Sequence, residues 1–135
     1  MFLKDYFPKL KKKYYQIKFE GVAFNSKNVK KNFIFFAIKG NKIDGNKFIK
    51  EAIKNGAKII VSQSIKEIFD NNVLYIYDKN PRKLLAEVSS KLNNKKPNNL
   101  IAVTGTNGKS SIANFYYQIL KFNKKKVASI GTLGI

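Results

Sequence analysis

The stretch FIFFAIKGNKIDGNKFIKEAIKNGAKIIVS, residues 33 to 62, decides the fold. It opens on Phe33 to Ile38, a continuous apolar, β-prone run stopped by Lys39 and Gly40, which fits a buried strand. Gly40 to Phe48 is a turn-rich loop. From Asn46 the apolar residues Phe48, Ile49, Ala52 and Ile53 recur at helical spacing, and Gly56 supplies the C-terminal cap. Ala57 to Ser62 is a second strand. Strand, helix, strand is the alternation of an α/β fold.

Outward from this unit the alternation continues. A short helix is expected around Ile65 to Phe69, then a strand over Val73 to Tyr77. Asn80 and Pro81 form a helix start, and Leu84, Leu85, Val88 and Leu92 give that helix an apolar face. Toward the N-terminus, the first 20 residues hold a short helix and the run Lys11 to Lys13, read as solvated surface. Asn93 to Asn99 is polar, broken by proline and without apolar periodicity, so a domain boundary is placed there. Residues 1–96 form one domain, and 97–135 begin another. The second reads strand (Leu100 to Thr104), loop, helix (about Lys109 to Phe122), basic turn, strand (Val127 to Ile130). Its loop stands at the carboxyl end of its first strand, where open parallel sheets place their ligands.

Composition narrows the function. The 135 residues suffice for one compact domain, and 44% hydrophobic with 13% aromatic residues implies a real core. The formal charge of +19 invites a polyanion-binding reading. All but Arg82 of the 27 basic residues are lysines, however, scattered among asparagines and isoleucines. AU-rich codons explain that pattern, whereas base or phosphate readout favours the arginine fork. With no cysteine and no histidine, disulfides, thiolate chemistry and the commonest zinc ligands are excluded. Any metal would be a hard, oxygen-bound ion. No apolar run is long enough to span a bilayer, and the N-terminus lacks the pattern of a signal peptide, so a cytoplasmic protein is expected.

The stretch with the clearest chemistry is IAVTGTNGKSSIANF, residues 101 to 115. A phosphate loop aims backbone N–H groups into a concavity at a helix N-terminus, where the helix dipole adds to them. Gly105 and Gly108 give clearance, Lys109 a point charge for the β- and γ-phosphates, and Ser110 a hydroxyl for a Mg²⁺ ion bridging them. Val103 stands where the longer P-loop pattern asks for glycine, so the loop is the shorter Gly105-Thr106-Asn107-Gly108-Lys109-Ser110-Ser111.

The motif TGTNGKSS resembles the ATP-binding loop of the Mur ligases, the ATP-dependent amide-forming enzymes that assemble the peptide of peptidoglycan, and of the related folylpolyglutamate synthetase. Residues 24 to 61 resemble the N-terminal uridine-nucleotide domain found in two of these enzymes. The pattern there is Asp-Ser-Arg, an apolar strand, Gly-x-x-x-Asp-Gly-His, then a helix. SIGTLGI, residues 129 to 135, is similar to the branch of the family that adds the third residue. Asn25, Lys27 and Asn46 depart from the usual Asp, Arg and His, which removes one charge and the arginine fork.

The resemblance implies an N-terminal UDP-substrate-binding domain over 1–96 and the first βαβ unit of the central ATP-binding domain over 97–135. It implies that Phe24, Ser26, Asn41, Lys42 and Ile43 contact the UDP end of the substrate. Gly105 to Ser111 would hold ATP, with Lys109 in the catalytic role and Ser110 on Mg²⁺ through the nucleotide. Read from its residues alone, Ser26 is a polar turn residue, and Asp44-Gly45 shapes a turn rather than touching ligand. The implied partners are ATP, Mg²⁺, a UDP-N-acetylmuramoyl dipeptide, and diaminopimelate or lysine. No nucleic acid, no membrane and a monomer are expected. A complete ligase of this kind has three domains, so the chain is expected to be an inactive fragment. The alternatives are a UDP-nucleotide-binding module without turnover and a basic nucleic-acid-binding protein.

Overall fold

A computed structural model describes residues 1–93, 95 and 97–131. The chain divides into two compact units, Met1–Lys95 and Lys96–Ile135.

The first unit is built on a five-stranded sheet: β1 (Gly21–Ala23), β2 (Phe33–Phe36), β3 (Ala57–Ser62), β4 (Ile68–Asp70) and β5 (Val73–Tyr77). The strand order is β1-β2-β3-β5-β4. The first four in that order run parallel, and β4 closes the edge antiparallel to β5. Helix α1 (Ile49–Lys54), entered through a 3-10 turn at Gly45–Phe48, connects β2 to β3. Helix α2 (Pro81–Leu92) follows β5; its start is capped by the Asn80 side chain, which accepts from Lys83 N at 3.1 Å.

Because side chains alternate along a strand, the sheet feeds two cores. Ile34, Phe36, Ile59, Val61, Leu74 and Ile76 cluster with Val88 of α2. Phe35, Ala37, Ile60 and Val73 cluster with Ala52 of α1. Burial on both faces accounts for the apolar run of β2 and for Ile59 to Val61 of β3, where only Lys58 near the start is exposed. Each fully buried Ile or Phe contributes roughly 1.5–3 kcal/mol.

The N-terminal 20 residues depart from the expected short helix. They form two 3-10 turns, Leu3–Asp5 and Lys12–Tyr14, and fold back on themselves. Leu3 N donates to Ile17 O at 3.1 Å, and Phe19 N to Met1 O at 2.9 Å. Leu3, Phe7, Leu10, Tyr14 and Phe19 are all buried in the core beside α2. Lys11 to Lys13 do remain exposed. The helix expected around Ile65 to Phe69 is also absent, and edge strand β4 stands there. Asn71 and Asn72, at φ of 47° and 62°, form a tight turn that returns the chain onto β5. Two consecutive positive-φ residues are the requirement of a hairpin turn whose twist matches its strands.

In the second unit, α3 (Lys109–Phe122) forms as its apolar spacing predicts. The strands expected at residues 100–104 and 127–130 do not appear as hydrogen-bonded ladders. A strand exists through its neighbours, and no described residue of this unit is buried, so no sheet face is covered that would hold such a ladder. The segment SIGTLGI runs into Thr132 to Ile135, which lie outside the described residues.

Candidate functional site

Parallel strands bring their carboxyl ends to one edge of a sheet, where ligands of α/β folds gather. Two loops of the first unit leave this edge from the adjacent strands β1 and β2.

The loop after β1 carries Phe24 and Ser26. Asn25 Oδ1 accepts from Lys27 N at 3.0 Å, an Asx turn that starts a 3-10 turn over Ser26–Asn28. Phe24 is 67% exposed, whereas Ser26 is buried. Ser26 Oγ donates to Glu51 Oε2 at 2.9 Å, and Asn55 Nδ2 donates to Ser26 O at the same distance. The Ser26 proton is therefore committed, and the hydroxyl oxygen can serve another group only as an acceptor. Glu51 and Asn55 were not singled out in the sequence. Their i, i+4 spacing, which sets them on one face of the α1 turn, was the available signal.

The loop after β2 is a small closed hairpin. Lys39 and Asp44 form an antiparallel bridge, Gly40 N donates to Ile43 O at 2.9 Å, and Gly45 N to Ile38 O at 3.0 Å. Its tip exposes Asn41, Lys42 and Ile43. At its base Asp44 Oδ1 accepts from Asn46 N at 2.9 Å and Asn46 Nδ2 at 2.7 Å. These two donations, the backbone one first, hold the Asp44 carboxyl below its ordinary value of 3.8; burial opposes them, and Lys39 and Lys47 add to them. Asp44 is a turn residue, as its sequence suggests.

The Gly105 to Ser111 loop belongs to the second unit. Gly108 sits at φ +74° and caps α3, and Ile112 N donates to Gly108 O at 2.9 Å as the helix begins. A Cβ placed on Gly108 would meet no atom within 4 Å, so the space above the helix N-terminus is open. Lys109 Nζ donates back to the carbonyl oxygens of Gly105 and Thr106, the latter at 2.9 Å. Such a loop fits a polyphosphate, which would accept from the loop amides and from Lys109. Among the described residues no group of three or more Asp, Glu, His or Cys is arranged to hold a metal. A Mg²⁺ ion here would depend on the nucleotide and on Ser110. No helix among the described residues is long and apolar enough to cross a membrane.

Comparison with known proteins gives a consistent answer. The family model described as "Mur ligase family, catalytic domain" matches residues 18–92, from just before β1 to the end of α2. Over 126 residues the chain is 45% identical to the UDP-N-acetylmuramoyl-L-alanyl-D-glutamate--2,6-diaminopimelate ligase of Rickettsia montanensis, covering 93% of the chain and 26% of the relative. A ligase of the same description from Clostridium acetobutylicum is 38% identical over 122 residues, which is 87% of the chain and 25% of the relative. The chain thus spans about a quarter of the length of these curated relatives.

Among solved structures, a UDP-N-acetylmuramoyl-L-alanyl-D-glutamate--2,6-diaminopimelate ligase superposes with a TM-score of 0.71 at 23% identity, over 99% of this chain and 28% of that one. The MurF ligase of Thermotoga maritima, in complex with ADP, superposes with a TM-score of 0.59 at 28% identity, over 76% of this chain and 23% of that one. The matched span contains the whole parallel sheet and both loops at its carboxyl edge, and on that match the chain belongs to the Mur ligase family.

Proposed function

We propose that this chain is the substrate-binding and phosphate-loop portion of an enzyme that adds the third amino acid to UDP-N-acetylmuramoyl-L-alanyl-D-glutamate, driven by ATP. The observation that carries the reading is the convergence of two loops from adjacent parallel strands, bringing exposed Phe24 and Ile43 and polar Ser26, Asn41 and Lys42 to one edge. An apolar surface with a few polar groups suits a uracil ring, and Lys42 a diphosphate. Residues 1–96 act as the UDP-substrate-binding domain and 97–135 open the ATP-binding domain. The names of the relatives favour diaminopimelate over lysine as the incoming amino acid.

In the reaction of such an enzyme the γ-phosphoryl group of ATP passes to the substrate's glutamyl carboxylate, giving an acyl phosphate. The incoming amine then displaces phosphate to form the amide. The loop amides of Gly105 to Ser111 and the Lys109 ammonium stabilise charge on the transferring group. To do so, Lys109 exchanges its bonds to Gly105 and Thr106 for phosphate oxygens. When bound, Mg²⁺ neutralises charge shared by the β- and γ-phosphates. Activity needs groups beyond these residues, so the chain by itself binds without turning over.

Calorimetric titration with UDP-N-acetylmuramoyl-L-alanyl-D-glutamate and, separately, MgATP tests the reading. Both ligands are expected to bind. Lys109→Ala should weaken MgATP at least about tenfold, the scale of a lost charge-assisted bond, and leave the UDP-substrate unaffected. Binding of the UDP-substrate without MgATP would favour a binding module with a vestigial loop. Amide formation by the chain alone would refute its description as an incomplete site.

A further inference from the structure

Asn46 lies outside the surface proposed to touch the substrate, yet its side chain is the centre of a polar chain. Its Nδ2 donates to Asp44 Oδ1 at 2.7 Å, and its Oδ1 accepts from Ser62 Oγ at 2.6 Å. Ser62 Oγ in turn accepts from Ser64 N at 2.9 Å, which fixes the direction of the hydroxyl proton toward Asn46. Ser62 is fully buried at the end of β3. One end of this chain is thus the floor of the sheet, and the other is the base of the hairpin that exposes Asn41, Lys42 and Ile43.

The hairpin stands above a backbone tie between the ends of β2 and β3, Ala37 N donating to Val61 O at 2.8 Å. Its own closures, Gly40 N to Ile43 O and Gly45 N to Ile38 O, set its shape and anchor it to the end of β2. Among the described residues, the Asp44–Asn46–Ser62 chain is the side-chain tie from the hairpin's base across to the neighbouring strand β3. The place asks for a side chain that donates to a carboxylate and accepts from a hydroxyl at once, and the Asn46 amide does both.

We propose that Asn46 is a positioning residue for recognition of the uridine-nucleotide substrate: it sets the 41–43 hairpin, and through it substrate affinity, without touching the ligand. This rests on the substrate-binding reading of the first unit. Asn46→Ala removes both bonds and leaves the Ser62 hydroxyl without its acceptor. Ser62→Ala breaks the same chain from the β3 side. Asn46→Asp is the discriminating change, because it keeps the shape and places a second carboxylate against Asp44. Two carboxylates sharing a site push one of the pair to a raised pKa. Once protonated, the introduced group again donates to Asp44 and accepts from Ser62. The charged groups around it are Asp44, Lys39 and Lys47.

The test is titration of the chain and its variants with UDP-N-acetylmuramoyl-L-alanyl-D-glutamate, with urea unfolding run alongside to establish that each variant is folded. Asn46→Ala and Ser62→Ala should each bind about tenfold more weakly, the scale of a buried bond left unmade. Asn46→Asp should lose about as much near pH 8 and recover to within about threefold of the unaltered chain near pH 5. A folded Asn46→Asp variant whose affinity is unchanged at the higher pH, or lost at both, overturns the positioning role while the substrate-binding reading stands. If the unaltered chain does not bind the UDP-substrate, that reading fails and this inference with it.

Discussion

A Cβ at Gly45 would lie 2.6 Å from the Ile38 carbonyl oxygen and 2.7 Å from its nitrogen, both backbone atoms that cannot yield as a side chain can. Gly45→Ala should therefore force the hairpin off β2 and cost about 2 kcal/mol, the range of overpacking, read as a lower urea midpoint. At Gly108 the constraint is conformational, since φ is +74° but space is open. Gly108→Ala should cost about 1 kcal/mol and weaken MgATP more than the UDP-substrate. Asp44 adds a pH term. Its folded carboxyl is held below 3.8, so its contribution is present above that pH and is lost as pH falls through the lower folded value. Urea unfolding at stepped pH should show Asp44→Asn flattening part of the acid limb.

At the scale of elements, the N-terminal strap is part of the core, with Phe19 and Leu3 fully buried. Phe19→Ala should cost about 3–5 kcal/mol, enough to threaten folding of the first unit, as urea unfolding would show. The strap was hidden in the sequence because its lysines interrupt the apolar spacing, and its 3-10 turns follow neither the helical nor the strand period. Strands β2, β3 and β5 and helices α1 and α2 were legible because their runs are continuous or periodic and bounded by Gly, Asn or Pro. β1 was not, for three residues from Gly21 carry no pattern. Ile65 and Phe69 misled because four-residue spacing imitates a helix, while Asn71 and Asn72 turned the chain into an edge hairpin. In the site, the loops proposed to face ligand could be singled out by family motif. Of the residues behind them, Glu51 and Asn55 offered only their i, i+4 spacing, and Ser62 offered nothing, because its tertiary hydrogen bonds leave no local signature.

For the whole molecule, a charge of +19 weighs less than its distribution, since lysines are scattered along the chain from end to end rather than gathered in one stretch. A protein of this kind should bind duplex DNA only through salt-sensitive, sequence-indifferent contacts, with affinity falling steeply between about 50 and 200 mM salt in filter binding. The two units differ in kind. The first encloses two cores around its sheet, while the second presents Ile112, Phe115, Ile119 and Phe122 of α3 uncovered. That contrast accords with a chain spanning about a quarter of its relatives. The central claim is that the first unit reads a uridine nucleotide with the two loops at the carboxyl edge of β1 and β2. Amide chemical-shift mapping during titration with UDP-N-acetylmuramoyl-L-alanyl-D-glutamate tests it most directly. Saturable shifts centred on Phe24, Ser26 and Asn41 to Ile43 are expected. Shifts confined to other surfaces, or no saturable shift at all, would contradict it.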